Sequence, residues 1–179
     1  MPVSTAATST LLIIDFQARL MPAIDDAAHA VRNAKRLLDA ATLLNIPSVL
    51  TEQNPKGLGG TVDDIPVAQC GTRIEKMSFD STKAPGFFEA IDKARSHLIV
   101  AGCEAHVCVL QTVLGALAAG HKVSVVQDAI GSRREESKRA AIARMAKHGA
   151  DIVTTEMVIF EWIGDATHPK FRECVALIK

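Results

Sequence analysis

The chain has 179 residues, of which 48% are hydrophobic, and is long enough to bury one sizeable core. Twenty basic and twenty acidic residues give a net charge of zero, which excludes the basic footprint of a nucleic-acid-binding protein. Four cysteines without a C-x-x-C spacing argue against a disulfide framework, so we expect a cytoplasmic protein of a reducing compartment.

Six short apolar runs recur along the chain and predict β-strands. The first of them is far too short to cross a bilayer as a helix, and we expect no membrane partner. The predicted strands cover residues 11–16, 47–51, 73–77, 98–101, 123–126 and 151–155.

Helical patterns lie between most of these runs. Apolar residues at helical spacing predict one long amphipathic helix over 24–44 and shorter helices over 87–94, 107–119 and 135–147. Thr167 and Pro169 predict the start of a last helix. Alternating strands and helices predict one doubly wound α/β domain over residues 1–179. Its six-stranded parallel sheet has the order 3-2-1-4-5-6, with helices on both faces.

Cys108 falls in the first turn of the predicted helix 107–119, just after the fourth predicted strand. Free backbone N–H groups and the helix dipole at such a place favour a negative charge. They can lower the pKa of a cysteine from about 8.5 to roughly 3.5–7.5, which supplies a thiolate at neutral pH. Taken alone, the segment is equally compatible with a buried core cysteine.

Two charged residues also end predicted strands, Asp15 the first and Lys76 the third. A charge at the end of an apolar strand is costly to bury unless it has a partner. In the predicted order, strands 1 and 4 are neighbours about 4.8 Å apart, so Asp15 can reach Cys108, and a lysine side chain can extend from strand 3. Taken singly, Asp15 and Lys76 are compatible with a structural ion pair. Together with Cys108 they favour a Cys–Asp–Lys site.

Three segments carry a family resemblance: Asp15-Phe16-Gln17 after strand 1, Lys76 after strand 3, and Gly-Cys-Glu-Ala-His-Val-Cys-Val at 102–109 after strand 4. In them the chain resembles the isochorismatase-like cysteine hydrolase superfamily, which includes nicotinamidases and N-carbamoyl amidohydrolases. It is most similar to the subgroup of isochorismatase domain-containing proteins. That likeness extends through 51–55, 75–79, 104–112 and 164–169, and so covers nearly the whole chain.

The resemblance implies hydrolysis of a C–N bond in a small amide, imide or carbamoyl compound, without a cofactor. It implies Cys108 as the nucleophile, Asp15 as the acid and base, and Lys76 as their electrostatic partner. It also implies a cis peptide between Cys103 and Glu104, and an oxyanion hole formed by the backbone N–H groups of Glu104 and Cys108. We add six candidate substrate contacts: Phe16, Gln17, Thr51, Gln53, Phe79 and His106.

The chain departs from nicotinamidases, which carry an Asp/His metal cluster in the region after strand 2. Residues 51–72 contain no histidine, so we expect no metal site there and no nicotinamidase activity. Cys103, His106 and Cys108 lack the usual spacing of zinc ligands, and we interpret His106 as a pocket wall or a solvent-facing residue.

Two other functions stay open, a binding or regulatory role of the intact site and a nuclease activity. Zero net charge, the lack of expected metal ligands and an aromatic content of no tyrosine and one tryptophan oppose the nuclease. We expect a homo-oligomer that acts on a small molecule. Four further residues receive structural roles: Asp128 caps or anchors the loop after strand 5, Ser132 caps the next helix, and Phe160 and Trp162 lie in the core or at a subunit contact.

Overall fold

A computed structural model describes residues 3–179; Met1 and Pro2 lie outside this range. Its six strands form one parallel sheet in the order β3-β2-β1-β4-β5-β6, which confirms the predicted fold class and strand order. The strands are β1 (Ser9–Ile14), β2 (Ser48–Gln53), β3 (Thr72–Lys76), β4 (His97–Cys103), β5 (Lys122–Gly131) and β6 (Asp151–Val153).

Helices cover both faces of the sheet. The first, fifth and sixth helices pack on one face, and the third and fourth on the other. Within residues 3–179, no helix is both long enough and apolar enough to cross a membrane. The helices are α1 (Ala27–Leu43), α2 (Pro55–Leu58), α3 (Leu110–Ala118), α4 (Glu135–Lys147), α5 (Thr155–Ile163) and α6 (Phe171–Ile178).

The central strand β1 is buried along its whole length because helices cover it on both sides. Leu11 and Ile13 pack into the core beneath α1, whereas Leu12 and Ile14 pack into the core beneath α3. This alternation follows from the two-residue period of a strand. Each fully buried leucine or isoleucine contributes about 1.5–3 kcal/mol relative to an exposed one, so the two cores fix β1 firmly in the sheet.

A close approach of β1 and β4 brings together the strand ends that carry the candidate site. Gly102 on β4 pairs with Ile14 on β1. A Cβ atom at Gly102 would lie only 2.6 Å from the carbonyl oxygen of Ile14. Glycine is therefore required here for backbone packing.

Strand β5 is longer than its sequence pattern predicted and is irregular in its middle. Val100 pairs with Val125 and Gly102 pairs with Ile130, so two steps along β4 correspond to five along β5. The predicted strand stopped at 126, where this irregular stretch begins. After the irregularity β5 returns to β4 and ends at Gly131, beside Cys103.

Two helix predictions differ from the structure. Residues 87–94 form consecutive turns, which are anchored by the fully buried Phe87. The last helix begins at Phe171, because Thr167 donates its backbone N–H to Asp165 in a separate turn, 2.7 Å away. In addition, the helix α5 was not predicted from the sequence.

The long segment after β2 contains the short helix α2 and one 3-10 turn. Two buried polar side chains hold it against the sheet. Glu52 accepts hydrogen bonds from the N–H and hydroxyl of Thr61, at 2.8 and 2.7 Å. Gln17 donates to the carbonyl groups of Gln53 and Gly59, at 2.9 and 2.7 Å.

Candidate active site

Asp15 directly follows β1 and is fully buried. Its backbone adopts a left-handed conformation with φ of 53°, and its N–H donates to the carbonyl of Thr51. The hydroxyl of Thr51 donates to one carboxylate oxygen at 2.7 Å, and Lys76 Nζ donates to the other at 2.7 Å. Both oxygens are therefore held in fixed directions.

Lys76 ends β3 and reaches across β2 to Asp15, the pairing that the strand order predicted. Its side chain has no exposed surface. The ammonium contacts the Asp15 carboxylate and the carbonyl oxygens of Ser78 and Phe79, at 3.2 and 3.4 Å. These three acceptors match its three N–H donors, so the buried charge is fully satisfied.

The peptide bond between Cys103 and Glu104 is cis, as the resemblance implied. The chain then enters a single π-turn, Ala105–Val109, which leads into α3. We call residues 103–109 the nucleophile turn. Cys108 lies in the π-turn and not in the first turn of a regular α-helix, and it is 7% exposed.

Cys108 packs in the core beneath α3, close to the charges of Asp15 and Lys76. Burial raises the pKa of the Cys108 thiol, the Asp15 carboxylate raises it further, and Lys76 only partly opposes them. The expectation that a helix terminus lowers this pKa is therefore wrong. In the resting protein Cys108 carries its proton next to a carboxylate that can accept it.

Glu104 links β4 to the π-turn, and its backbone carbonyl accepts the N–H groups of Val107 and Val109. Its own N–H donates no hydrogen bond to any part of residues 3–179. This unbonded donor stands four residues before Cys108 in the sequence. This is the position that the resemblance gives to the first donor of an oxyanion hole.

Among the predicted substrate contacts, Phe16 and Gln17 point away from this site. Phe16 is fully buried in the core beneath α1, whereas Cys108 lies in the core on the other face of the sheet. Gln17 is fully buried, and both its amide nitrogen and its oxygen are bonded to the backbone. Their placement does not support substrate contact, because both side chains are committed to internal packing.

Thr51 and Gln53 also make internal bonds. Thr51 holds Asp15, and the amide nitrogen of Gln53 donates to the carbonyl of Met77 at 3.0 Å. Phe79 is half exposed beside Lys76, and Met77 is still more exposed. The exposed Phe79 is thus the predicted contact most accessible to a ligand.

His106 is half-buried, and its Nδ1 is 3.0 Å from the hydroxyl of Ser132. Ser132 was predicted to cap α4, but that helix begins after Arg134 without a side-chain cap. The prediction is wrong because the Ser132 hydroxyl is used by the nucleophile turn. No cluster of three or more metal-ligating side chains occurs within residues 3–179.

The structure also places Asp128, Trp162 and Phe160, which were assigned structural roles from the sequence. Asp128 lies within β5, not at its end, and its carboxylate accepts the N–H and hydroxyl of Thr155 at 2.8 and 3.0 Å. It therefore anchors the start of α5 and not the loop after β5. Trp162 is buried and donates to the hydroxyl of Ser9 at 3.1 Å, whereas Phe160 is 42% exposed.

Arg133 is a contact of the nucleophile turn that was not predicted from the sequence. Its guanidinium and backbone N–H all bind the carboxylate of Glu104. In the sequence, Arg133 and Arg134 precede two glutamates and look like part of a neutral solvated surface. Nothing in that pattern indicates that one arginine folds back 29 positions onto the nucleophile turn.

The Isochorismatase domain family matches residues 9–157, which is most of the chain. The chain belongs to the isochorismatase family. This isochorismatase-family chain is 35% identical over 175 residues to isochorismatase domain-containing protein 1 from Salmo salar. The match covers 97% of the chain and 62% of that relative, so the chain spans less than two thirds of the relative's length.

Two solved isochorismatase-fold structures resemble the chain closely. The MAR1 ribonuclease from Caenorhabditis elegans has a TM-score of 0.92 and 35% identity, covering 98% of this chain and 92% of its own. YcaC from Escherichia coli, described as an octameric hydrolase of unknown specificity, has a TM-score of 0.87 and 27% identity. That match covers 99% of this chain and 88% of YcaC.

Proposed function

We propose that the protein is a cysteine hydrolase that cleaves a C–N bond of a small amide, imide or carbamoyl compound through Cys108, Asp15 and Lys76. One observation carries the proposal: the Asp15 carboxylate is held by Lys76 and Thr51 next to the thiol of Cys108. A base fixed beside a nucleophile is the arrangement that covalent catalysis needs. Membership of the isochorismatase family supports a hydrolase.

In the first half-reaction, Asp15 accepts the Cys108 proton while the sulfur forms a bond to the substrate carbonyl carbon. The backbone N–H groups of Glu104 and Cys108 stabilise the oxyanion, and loss of one such donor typically costs about 10²–10³ in rate. The C–N bond then breaks as Asp15 protonates the leaving nitrogen, which leaves a thioester on Cys108.

In the second half-reaction, Asp15 accepts a proton from a water molecule that attacks the thioester carbonyl. The C–S bond breaks, and Asp15 returns the proton to the Cys108 sulfur. The ammonium of Lys76 stays paired with Asp15 throughout and keeps its carboxylate aimed at the thiol. No metal or cofactor takes part in this proposal.

A panel of small amides, imides and ureides tests the proposal, with intact-mass detection of an acyl group on Cys108. We expect Cys108→Ala to abolish both turnover and the adduct, and Asp15→Asn to lower turnover by about 10²–10⁴-fold. Cys70→Ala, in the loop before β3, is the matched control and should keep normal activity. Substantial turnover by folded Cys108→Ala would contradict the mechanism.

A ribonuclease is the second candidate, because one close structural relative carries that name. The zero net charge of the chain opposes it. If the purified protein cleaves RNA and Cys108→Ala does not, the same centre acts on RNA; equal cleavage by both points to another centre. Reaction of Cys108 with thiol reagents, without turnover of any amide or RNA, would favour a binding or regulatory role.

A further inference from the structure

The last residue of β5, Gly131, and the two residues that follow it each contact the nucleophile turn. Gly131 pairs with Cys103, and a Cβ atom at Gly131 would lie 3.1 Å from the Cys103 sulfur. Ser132 bonds His106 through its hydroxyl. Arg133, the next residue, binds Glu104. We call residues 131–133 the β5 clamp, because it holds the turn on both sides of the free Glu104 N–H.

The contact between Arg133 and Glu104 is the strongest part of the β5 clamp. Arg133 Nη2 donates to Glu104 Oε1 at 2.7 Å, and its Nε and backbone N–H donate to Oε2 at 3.0 and 2.9 Å. Charge-assisted, two-pronged contacts of this kind fix direction as well as distance. The carboxylate is only 5% exposed, whereas the arginine side chain is 58% exposed.

The exposure of Arg133 argues that this contact serves geometry more than stability. Ion pairs that involve solvent-exposed side chains contribute little to the free energy of folding. The same contact holds both carboxylate oxygens of Glu104, the residue whose backbone N–H is free. Fixing the side chain limits the rotations available to that backbone.

We infer that Arg133 is a positioning residue that aims the Glu104 N–H at the oxyanion formed on attack by Cys108. The inference rests on the proposed function. Arg133 acts through Glu104 and does not touch the reacting atoms. Because an oxyanion donor acts through close geometry, a small rotation at Glu104 should cost much of its effect.

Two reactions of Cys108 separate this role from general damage to the site. Acylation by p-nitrophenyl acetate passes through an oxyanion: the sulfur bonds to the carbonyl carbon, the thiol proton goes to Asp15, and p-nitrophenolate leaves. Alkylation by iodoacetamide displaces iodide at a saturated carbon and forms no oxyanion at the attacked atom. Both adducts can be timed on the Cys108 peptide by mass spectrometry.

In Arg133→Gln we expect acylation of Cys108 to slow by about tenfold or more while alkylation changes little. Arg133→Lys keeps the charge but not the planar fork, and should fall between the wild type and Arg133→Gln. Arg134→Gln is the matched control, because the Arg134 side chain is 73% exposed and its guanidinium pairs with Glu136, at 3.9 Å. It should match the wild type in both reactions.

Equal acylation in Arg133→Gln and the wild type would overturn the inference, and so would an equal fall of both reactions. If Arg133→Gln does not fold, the Arg133→Lys variant gives the same comparison. Failure of the proposed function looks different: Cys108 of the wild type would gain no acetyl group at all, whatever residue stands at 133.

Discussion

At the scale of single residues, the thiol of Cys108 feels two opposite charges, those of Asp15 and Lys76. Burial raises its pKa, Asp15 adds to that effect, and Lys76 works against it. In the proposed mechanism, such a thiol becomes a nucleophile when Asp15 accepts its proton during attack, and no thiolate is needed before substrate binds. Protection from chance alkylation follows from the same arrangement, since the thiolate is the reactive species.

The two charged neighbours of Cys108 should shift its reactivity in opposite directions. Asp15→Asn removes the anion and leaves the Lys76 charge, so the pH profile of Cys108 alkylation should move to lower pH. Lys76→Met should move it to higher pH. We expect shifts of about one pH unit or more, because nearby charges typically change a pKa by 1–3 units. Iodoacetamide labelling followed by peptide mass spectrometry measures both profiles.

Cys70 provides an internal reference in the same digests, because it lies in the loop before β3 and should keep its own profile in both variants. If the pH profile of Cys108 alkylation in Asp15→Asn moved to higher pH, the Asp15 carboxylate could not be the neighbour that raises the thiol pKa. Loss of hydrolysis in Asp15→Asn, despite a more acidic thiol, would show that Asp15 acts as a proton carrier.

Glu104 should make stability depend on pH through Arg133. Burial alone would raise the pKa of Glu104, but hydrogen bonds and charge from Arg133 outweigh it, and the net direction is down. A lowered folded-state pKa stabilises the protein above the ordinary glutamate pKa of 4.5 and loses this effect as pH falls through the lower value. Urea unfolding of wild type and Arg133→Gln should therefore differ most near neutral pH.

As pH falls through the lowered folded-state pKa of Glu104, the two unfolding free energies should converge, because Glu104 becomes protonated in both proteins. Arg134→Gln should follow the wild type at every pH. If the difference in unfolding free energy between the wild type and Arg133→Gln stays constant or grows on acidification, the effect of Arg133 does not come from its pairing with Glu104.

Residue by residue, the sequence indicates the candidate Cys–Asp–Lys site more clearly than the groups that contact it. Asp15 and Lys76 are visible because each places a charge at the end of an apolar run, and such a charge needs a partner. The placement of Phe16 and Gln17 does not support the predicted substrate contact, because adjacency to Asp15 says nothing about which face of the sheet a side chain enters. The role of Arg133 depends on where β5 ends, which the pattern of residues 123–126 does not reveal.

At the scale of elements, the turn after β3 is docked onto α3, so the segments that carry Lys76 and Cys108 are fastened together. The N–H of Ser81 donates to the hydroxyl of Thr112 at 2.9 Å. A Cβ atom at Gly115 would lie 2.5 Å from Thr82 Oγ1 and 2.9 Å from a carboxylate oxygen of Asp80. Gly115 thus makes room for the turn.

Gly115→Ala should push this turn away from α3 and weaken activity. Glycine to alanine inside a helix normally stabilises by roughly 0.8–1.0 kcal/mol, but here we expect net destabilisation of about 1–3 kcal/mol from overpacking. Thr112→Val removes the Ser81 bond without adding bulk and should act in the same direction more mildly. Thermal unfolding and turnover measure both effects, and a more stable Gly115→Ala would disprove the docking.

Most strands and the long helices follow from periodicity, but α5 does not. Its sequence is largely apolar, and Thr154 and Thr155 stand at its start as the N-cap and first residue, which favours continuing the strand predicted over 151–155. In the structure the hydroxyl of Thr154 caps the N–H of Met157, and Asp128 binds the N–H of Thr155. The second contact comes from a distant strand, so local patterning does not contain it.

At the scale of the whole molecule, the homo-oligomer expected from the sequence remains a prediction, and one exposed patch makes it testable. Met157 and Phe160 expose apolar side chains on one side of α5, at 46% and 42%. If this patch lies in the interface, Phe160→Glu should weaken assembly by about tenfold or more, since buried aromatic residues dominate interface energies. Light scattering after size-exclusion chromatography, with Glu156→Gln as the control, measures it.

A wild-type protein that is monomeric at all concentrations would contradict this expectation. An oligomer that Phe160→Glu leaves intact would place the interface elsewhere on the surface. Either result leaves the chemistry proposed for Cys108 untouched.

The number of residues in the irregular stretch of β5 determines where the following residues, 131–133, lie relative to the candidate site. Each strand residue advances about 3.3 Å and places its side chain on the opposite face from the one before. Inserting or deleting one residue therefore moves every later side chain of the strand to the other face of the sheet. The extra residues let Asp128 face α5 while Arg133 still meets Glu104. In the proposed mechanism, the direction of the Glu104 N–H thus depends on the number of residues in a neighbouring strand, and this stretch should tolerate substitutions far better than insertions or deletions.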